Sequence, residues 1–286
     1  MTVFYQKDFY QKENKMDEVK PDVAKEMKSN IGSGTHLVAM FDTTGSMKPA
    51  IEQVRQKLRD LVEMMSADIL GLKIGLIAHG DYCDGDKCMT SLDFTDDLEK
   101  IMQFINNTPN TGGGDAPECY EFALQTAKNL SWPKEGGSVI IIGDDEPHPV
   151  GYQWQQTINQ IDWQQEVKEM AEKNIKVFPM QCLYNASRTQ ANEFWEGISQ
   201  LSGTPLLMLE SFGDGANALE AVAYASSGAA AMDFYESKVS YETEKGMRSV
   251  ASANINNIRS KLAGYAKSNV KSDPAPDLEA ESKAFE

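Results

Sequence analysis

The chain has 286 residues, of which 41% are hydrophobic and 24% are charged. This composition is typical of a folded protein and excludes disorder throughout, and the length allows one large domain with extensions or two small domains. The net charge of −16 disfavours nucleic acid as a partner, because an acidic surface repels phosphate.

The first 34 residues are polar and indicate an N-terminal extension, which ends in a glycine-containing joint. The chain then alternates short apolar runs with amphipathic segments. The apolar runs predict strands over 36–41, 72–79, 89–94, 138–142, 175–183 and 205–209. Helices are predicted from residue 49 onward and over 98–105, 119–130, 163–173, 193–201, 216–234 and 247–266.

Strands that are apolar on both faces and alternate with helices are typical of a parallel sheet covered on both sides. We therefore predict an α/β fold with a doubly wound, mostly parallel sheet flanked by helices. The predicted domain covers residues 35–235 and is followed by a helical extension over 236–268. Residues 269–286 contain two prolines and scattered charge, which predicts a disordered tail.

Three polar loops carry the chemistry of the predicted domain. Residues 42–46 (Asp-Thr-Thr-Gly-Ser) follow the first strand, and residues 143–148 (Gly-Asp-Asp-Glu-Pro-His) follow the 138–142 strand. Between them, residues 110–118 (Asn-Thr-Gly-Gly-Gly-Asp-Ala-Pro-Glu) are too rich in glycine to form a helix. Ligands of doubly wound sheets bind at the carboxyl ends of the strands, so we expect these loops to form one site.

The candidate ligands in these loops are carboxylates and hydroxyls without a thiolate. Oxygen-only sets suit Mg²⁺, Mn²⁺ or Ca²⁺ rather than zinc or copper. Alternate residues of the first loop can point into one concavity. The residues of these three loops therefore predict a site for a divalent cation at the edge of the sheet.

This arrangement resembles the metal-ion-dependent adhesion site of von Willebrand factor A (VWA) domains. The resemblance rests on Asp-x-Thr-x-Ser, on a threonine 69 residues later in a glycine-rich loop, and on an aspartate 33 residues further. It implies a set of cation ligands that consists of Asp42, Thr44, Ser46, Thr111 and Asp144, surrounded by a ligand-binding rim of Gly113, Asp115, Asp145 and His148. Thr44 and Ser46 would bind the cation directly, Thr111 directly or through water, and Asp42 and Asp144 largely through water. Asp145 is the alternative to Asp144, because the family often has Asp-Gly at this position.

The resemblance further implies a binding role without catalysis. Neutral hydroxyls leave the cation electron-poor, so an open coordination position attracts an acidic side chain from a partner. Intracellular members of the family point to an AAA+ ATPase or a kinase component as that protein partner.

Two other interpretations of the sequence remain open. Residues 42–46 also resemble the nucleophile loop of haloacid-dehalogenase-like phosphotransferases, in which Asp42 would be phosphorylated with the help of Mg²⁺. A zinc site is the other reading, with His79, Cys83 and Cys88 as ligands and several aspartates between them. The spacing lacks a Cys-x-x-Cys pair, and residues 84–86 (Asp-Gly-Asp) are typical of a hairpin turn.

The N-terminus indicates a cytoplasmic protein. Residues 1–20 mix charged and aromatic side chains and contain no apolar segment typical of a signal peptide. No run of eighteen apolar residues occurs, so we expect no membrane span. The four cysteines form no disulfide-rich pattern, which predicts free thiols.

Overall fold

A six-stranded sheet forms the centre of the molecule in a computed structural model, which describes residues 34–114, 117–182, 189–211 and 214–269. The strands are β1 (His36–Asp42), β2 (Lys73–His79), β3 (Met89–Thr95), β4 (Gly137–Gly143), β7 (Ile175–Cys182) and β8 (Leu207–Leu209), while β5 (Gln153–Trp154) and β6 (Thr157–Ile158) form a separate hairpin. The sheet order is β3-β2-β1-β4-β7-β8, and only β3 runs antiparallel to its neighbour. The predicted doubly wound, mostly parallel α/β fold is confirmed.

Eight α-helices accompany the sheet in the described part of the chain. They are α1 (Lys48–Asp68), α2 (Leu98–Asn107), α3 (Tyr120–Lys128), α4 (Trp163–Glu172), α5 (Thr189–Ser202), α6 (Gly215–Ser226), α7 (Ala229–Glu244) and α8 (Ala253–Ser268). None of them combines the length and the apolar character needed to cross a bilayer. The predicted N-terminal extension before residue 34 and the tail after residue 269 lie outside the described residues.

The sheet divides the core into two layers, because successive side chains of a strand point to opposite faces. In β1, Leu37 packs in one layer and Val38 in the other; in β4, Ile140 and Ile141 divide in the same way. The first layer includes residues of α1, α2, α6, α7 and α8, and the second includes residues of α3, α4 and α5. The continuous apolar runs seen in the sequence are therefore strands buried on both faces.

Helix α1 begins where the sequence predicts, with a proline in its first turn. Its predicted apolar stripe is confirmed in the second half, where Leu61, Val62 and Met65 are buried. The other predicted stripe positions, 51, 54 and 58, are among the side chains outside the description.

The Ala-rich segment that was predicted as one helix over 216–234 forms two helices, α6 and α7. The break falls at Gly228, whose φ of 106° lies in a region that only glycine adopts readily. Helix α7 continues through residue 235, where the domain was expected to end. Ile255 and Leu262 of α8 are buried in the same layer as β1 and β4, so the two C-terminal helices cover one face of the sheet.

The position of β1 creates the crevice in which a ligand is expected. β1 pairs with β2 on one side and with β4 on the other, and the chain visits β2 and β3 before it crosses to β4. The loops that follow β1 and β4 consequently leave the sheet in opposite directions, and a gap opens between them at the carboxyl edge. Asp42 is the last residue of β1 and Asp144 comes directly after β4.

Candidate metal centre

The loops after β1 and β4 meet through their side chains at this crevice. The Ser46 hydroxyl donates a hydrogen bond to Asp144 Oδ1 at 3.1 Å, although the two residues are 98 positions apart in the chain. Asp144 is 1% exposed whereas Ser46 is exposed, so this contact lies where the crevice opens to solvent. The fold therefore joins the two ends of the predicted motif.

Asp42 lies at the floor of the crevice and is fully buried. Its Oδ1 accepts hydrogen bonds from the backbone N–H and the hydroxyl of Thr44, both at 2.7 Å, and its Oδ2 accepts one from the Tyr120 hydroxyl at 2.9 Å. Three donors hold this carboxylate in one orientation. The turn that Thr44 makes around Asp42 also places Ser46 on the same side.

Thr111 reaches the crevice through Thr43, a residue that the sequence analysis did not select. The Thr43 and Thr111 hydroxyl oxygens are 2.9 Å apart, and the Thr111 N–H donates to the Thr43 carbonyl at 3.0 Å. The Thr43 hydroxyl already donates to the His79 carbonyl at 2.8 Å. A hydroxyl has one proton, so Thr111 must be the donor in the Thr43–Thr111 pair.

The three candidate hydroxyl ligands thus share one feature. Thr44, Ser46 and Thr111 each donate their single proton to an acceptor within the protein. Their oxygen lone pairs remain available to an electron acceptor such as a cation. This donor pattern fits a hard divalent ion.

The charges at the crevice also fit a cation. Burial raises the pKa of Asp42 to about 6, and burial together with the charge of Asp42 raises the pKa of Asp144 to about 6. Burial, followed by the charges of Asp42 and other aspartates, raises the pKa of Glu118 to about 10. Glu118 Oε2 has no hydrogen-bond partner among the described residues. Several acids therefore disfavour one another's ionised form, and a bound divalent cation would relieve that repulsion.

Tyr120 is a second residue that the sequence did not reveal as part of this region. Its hydroxyl donates to Asp42 and accepts from the backbone N–H groups of Asp144 and Asp145 at 3.2 and 3.4 Å. The ring is fully buried in the second core layer. Tyr120 therefore ties the end of β1 to the loop after β4.

The predicted rim residues take different positions in the structure. Gly113 is half-buried, and a Cβ added to it would lie 2.7 Å from Glu118 Oε1. Asp145 is buried, and its Oδ1 accepts a hydrogen bond from the Glu146 N–H at 3.0 Å. His148 is 1% exposed and lies in the interior rather than on the rim. Asp115 lies outside the described residues.

The predicted zinc ligands are not assembled as the sequence spacing indicated. His79 is buried with its ring edge against Tyr120 at a centroid distance of 4.5 Å, and burial lowers its pKa to about 3. The expected hairpin turn at 84–86 belongs to a 3-10 helical segment, Tyr82–Lys87, whose Asp84 accepts from the Gly112 N–H at 3.0 Å. Asp81, at the start of that segment, contacts the His148 ring instead.

Comparison with known proteins places the chain in a family. A family model described as "von Willebrand factor A domain" matches residues 36–207, which is more than half of the chain. The chain therefore belongs to the von Willebrand factor A domain family, whose members are generally protein-interaction modules.

One curated relative is the alpha-protein kinase vwkA of Dictyostelium discoideum, which is 27% identical over 119 residues. The match covers 41% of this chain and 19% of the relative, so the chain corresponds to less than a fifth of that protein. Among solved structures, the open conformation of the pilus adhesin SpaC from Lactobacillus rhamnosus GG superimposes with a TM-score of 0.51 at 14% identity, covering 71% of this chain and 30% of the adhesin. This second likeness shows the fold alone.

These comparisons give no support to the phosphotransferase reading of residues 42–46. In the structure, both carboxylate oxygens of Asp42 accept hydrogen bonds from side chains or backbone of the domain. The second core layer also packs directly behind it through Tyr120.

Proposed function

We propose that this chain is a metal-dependent protein-binding domain that holds its partner through a divalent cation in the crevice. The cation would be Mg²⁺, with Mn²⁺ or Ca²⁺ as substitutes, and the ligand set would be Asp42, Thr44, Ser46, Thr111 and Asp144. The observation that carries the proposal is that each of the three hydroxyls donates its proton to an acceptor of the protein, which leaves the oxygen lone pairs for an ion. Hydroxyl and carboxylate oxygens are the ligands that these ions prefer.

The two aspartates would support the ion mainly as second-layer groups. Asp42 uses both oxygens to accept hydrogen bonds, and Asp144 accepts the proton of Ser46. Such contacts orient the hydroxyls that bind the cation and raise their electron density. An ion bound directly by neutral oxygens keeps much of its charge and would attract a carboxylate from outside.

Asp144 is favoured over Asp145 as the acid that serves this site. Asp144 Oδ1 contacts Ser46 across the crevice, whereas Asp145 Oδ1 accepts from the N–H of the next residue. The second contact is local to its own loop and would hold that loop in shape.

The partner in this proposal is a protein that offers an Asp or Glu side chain. An acidic side chain is the ligand that best completes the coordination of an electron-poor cation. The curated relative is named a kinase, which favours a kinase component as the partner over an AAA+ ATPase. We also propose a reducing compartment such as the cytoplasm, because all four cysteines are free thiols.

Calorimetric titration of the chelator-treated protein with Mg²⁺ and Mn²⁺ tests the ion site. Ser46→Ala and Asp144→Ala should each lower the affinity about 10- to 100-fold, because a lost ligand or supporting group typically has this effect. Ser131→Ala is the matched control, since Ser131 makes the same kind of contact with Asp93 at 2.6 Å outside the crevice. Equal affinities in wild type and Ser46→Ala would show that the ion, if any, binds elsewhere.

A pull-down in the presence of Mg²⁺ tests the role of the ion in partner binding. The captured protein should elute with EDTA and should be absent when Ser46→Ala is the bait. A partner that stays bound in EDTA would show that the domain uses another surface.

A further inference from the structure

A second group of metal-binding side chains lies beneath the glycine-rich loop and is separate from the oxygen ligands of the crevice. Ligand atoms of Asp81, Cys119 and His148 all lie within 4.8 Å of one another, and all three residues are buried. Cys88 adds a second sulfur, 3.3 Å from the sulfur of Cys119. Cys88 is also buried, at 6% exposure, but its sulfur is not among the atoms that lie within 4.8 Å of one another.

We propose that Asp81, Cys88, Cys119 and His148 bind a structural zinc ion. Two sulfurs, an imidazole and a carboxylate form a four-ligand set of the kind that zinc takes in tetrahedral sites. Thiolates distinguish this group from the crevice, because Mg²⁺ and Ca²⁺ take oxygen ligands. Four ligands from the protein would also leave no open position, which is typical of a structural rather than a catalytic site.

Two of the distances between the proposed ligand atoms are close to those that zinc requires. Tetrahedral coordination with ordinary zinc bond lengths separates two sulfurs by about 3.8 Å and a nitrogen from an oxygen by about 3.3 Å. In the structure the two sulfurs are 3.3 Å apart, and His148 Nε2 lies 2.7 Å from Asp81 Oδ1. These two pairs must each open by about 0.5 Å to admit the ion. The Cys88 sulfur must also turn toward Asp81 and His148, because it lies outside the group of ligand atoms within 4.8 Å of one another.

The protons balance in a simple way. Zinc replaces the S–H proton of Cys88 and that of Cys119, and both protons leave to solvent as the thiolates form. The imidazole binds through Nε2 and carries its proton on Nδ1, an atom that has no hydrogen-bond partner among the described residues. No oxidant or reductant is needed.

The sequence distribution of the four ligands indicates what the ion would do. Asp81 and Cys88 flank the 3-10 segment after β2, Cys119 precedes α3, and His148 lies in the loop after β4. Three segments that are distant in the chain would therefore be joined at one point.

This joint would support the crevice without belonging to it. Asp81 Oδ2 accepts a hydrogen bond from the Gly114 N–H at 3.2 Å, and Asp84 Oδ1 accepts one from the Gly112 N–H at 3.0 Å. Both contacts hold the three residues that directly follow Thr111 in the loop. Zinc would hold Asp81 in place and would so fix the glycine-rich loop at the edge of the crevice.

Metal analysis of the full chain, purified under reducing conditions without chelator, tests the proposal. Mass spectrometric elemental analysis should find about one zinc per chain. Co²⁺ added to the zinc-free, reduced protein should give the visible absorption bands of tetrahedral cobalt and the ultraviolet band of a thiolate bound to cobalt. The cobalt measurement uses the wild type and so does not depend on whether a variant folds.

Variants then identify the ligands. Cys119→Ala and His148→Ala should lower the zinc affinity at least about 10- to 100-fold, while Cys182→Ala, which removes a buried thiol of β7 outside this group, should not. Asp144→Ala should keep its zinc even where it loses Mg²⁺, so a failure of this proposal can be distinguished from a failure of the crevice proposal. A wild type that takes up neither zinc nor cobalt, or whose Cys88 and Cys119 are found joined in a disulfide, would overturn the proposal.

Discussion

Removal of one oxygen atom, in Tyr120→Phe, should weaken both the fold and the candidate cation site. The Tyr120 hydroxyl is the donor to Asp42 Oδ2 at 2.9 Å, and the ring packs in the second core layer. Phenylalanine keeps the ring and leaves a buried carboxylate with one donor fewer. A hydrogen bond to a charged group contributes about 1.5–3 kcal/mol, so the free energy of unfolding at pH 7 in EDTA should fall by about 2–3 kcal/mol.

The same substitution should reduce the stabilisation that Mg²⁺ provides. Because Tyr120 orients Asp42 behind the hydroxyl ligands, its loss should lower the Mg²⁺ affinity about 10-fold. At a saturating Mg²⁺ concentration, the gain in unfolding free energy should then be smaller by about 1.4 kcal/mol in the variant than in the wild type. Urea denaturation followed by circular dichroism, in EDTA and in Mg²⁺, measures both effects.

Tyr224→Phe is the matched control for this experiment. The Tyr224 hydroxyl donates to Asp68 Oδ2 at 2.6 Å, and its ring is buried in the first core layer, on the other face of the sheet. This variant should also lose stability, but its gain from Mg²⁺ should equal that of the wild type. If Tyr120→Phe gained as much from Mg²⁺ as the wild type does, Asp42 and Tyr120 would not support a cation, and the reasoning would be refuted.

Three more substitutions test the electrostatics of the crevice and the break between α6 and α7. The pKa of Glu118 is raised to about 10 in the folded state, from about 4.5 in the unfolded state. Between these two values the folded state keeps a proton that the unfolded state has lost, so the free energy of unfolding falls as the pH rises. In EDTA, Glu118→Gln should reduce the loss of unfolding free energy between pH 6 and pH 8 by about 1.4 kcal/mol per pH unit. Urea denaturation at three pH values measures this dependence, and the same dependence on pH in the variant and the wild type would contradict the prediction. Gly228→Ala should lower the free energy of unfolding by about 1–3 kcal/mol, because its φ of 106° strains any other residue. Gly264→Ala, at an open position within α8, should instead raise it by about 0.5–1 kcal/mol, and equal urea midpoints for the two variants would show that Gly228 carries no strain.

The layered sheet could be predicted because the pattern of its strands is unambiguous. The apolar runs before Asp42 and Asp144 are buried on both faces, as runs without polar alternation predict. Once such strands are parallel, the polar residues that follow them must share one edge. The Ser46–Asp144 contact is a direct consequence of that topology.

Side chains that act through tertiary contacts could not be predicted in the same way. Tyr120 reads in the sequence as an ordinary aromatic residue of a buried helix, and only the approach of α3 to β1 shows that its hydroxyl meets Asp42. His148 follows polar residues and was expected on the rim, yet its ring is buried and contacts Asp81, which lies in a distant loop. Neither partner is identified by sequence spacing.

The break between α6 and α7 was missed for a local reason. Alanine has the highest helix propensity, and the alanines on both sides of residue 228 favoured one continuous helix. The left-handed conformation of Gly228 ends α6 and lets α7 turn back over it. A glycine after a serine in such a run is a signal for this kind of helix end.

The distance along the chain between Ser46 and Asp144 has a consequence for folding. Closing a contact between residues so far apart costs more chain entropy than closing a local one. The crevice is complete only when β4 has paired with β1, and β2, β3 and α3 lie between these two neighbouring strands in the sequence. A chain in which β4 has not yet paired with β1 would therefore present the Asp-x-Thr-x-Ser turn without its opposing aspartate, so the proposed cation site would be incomplete until that pairing forms.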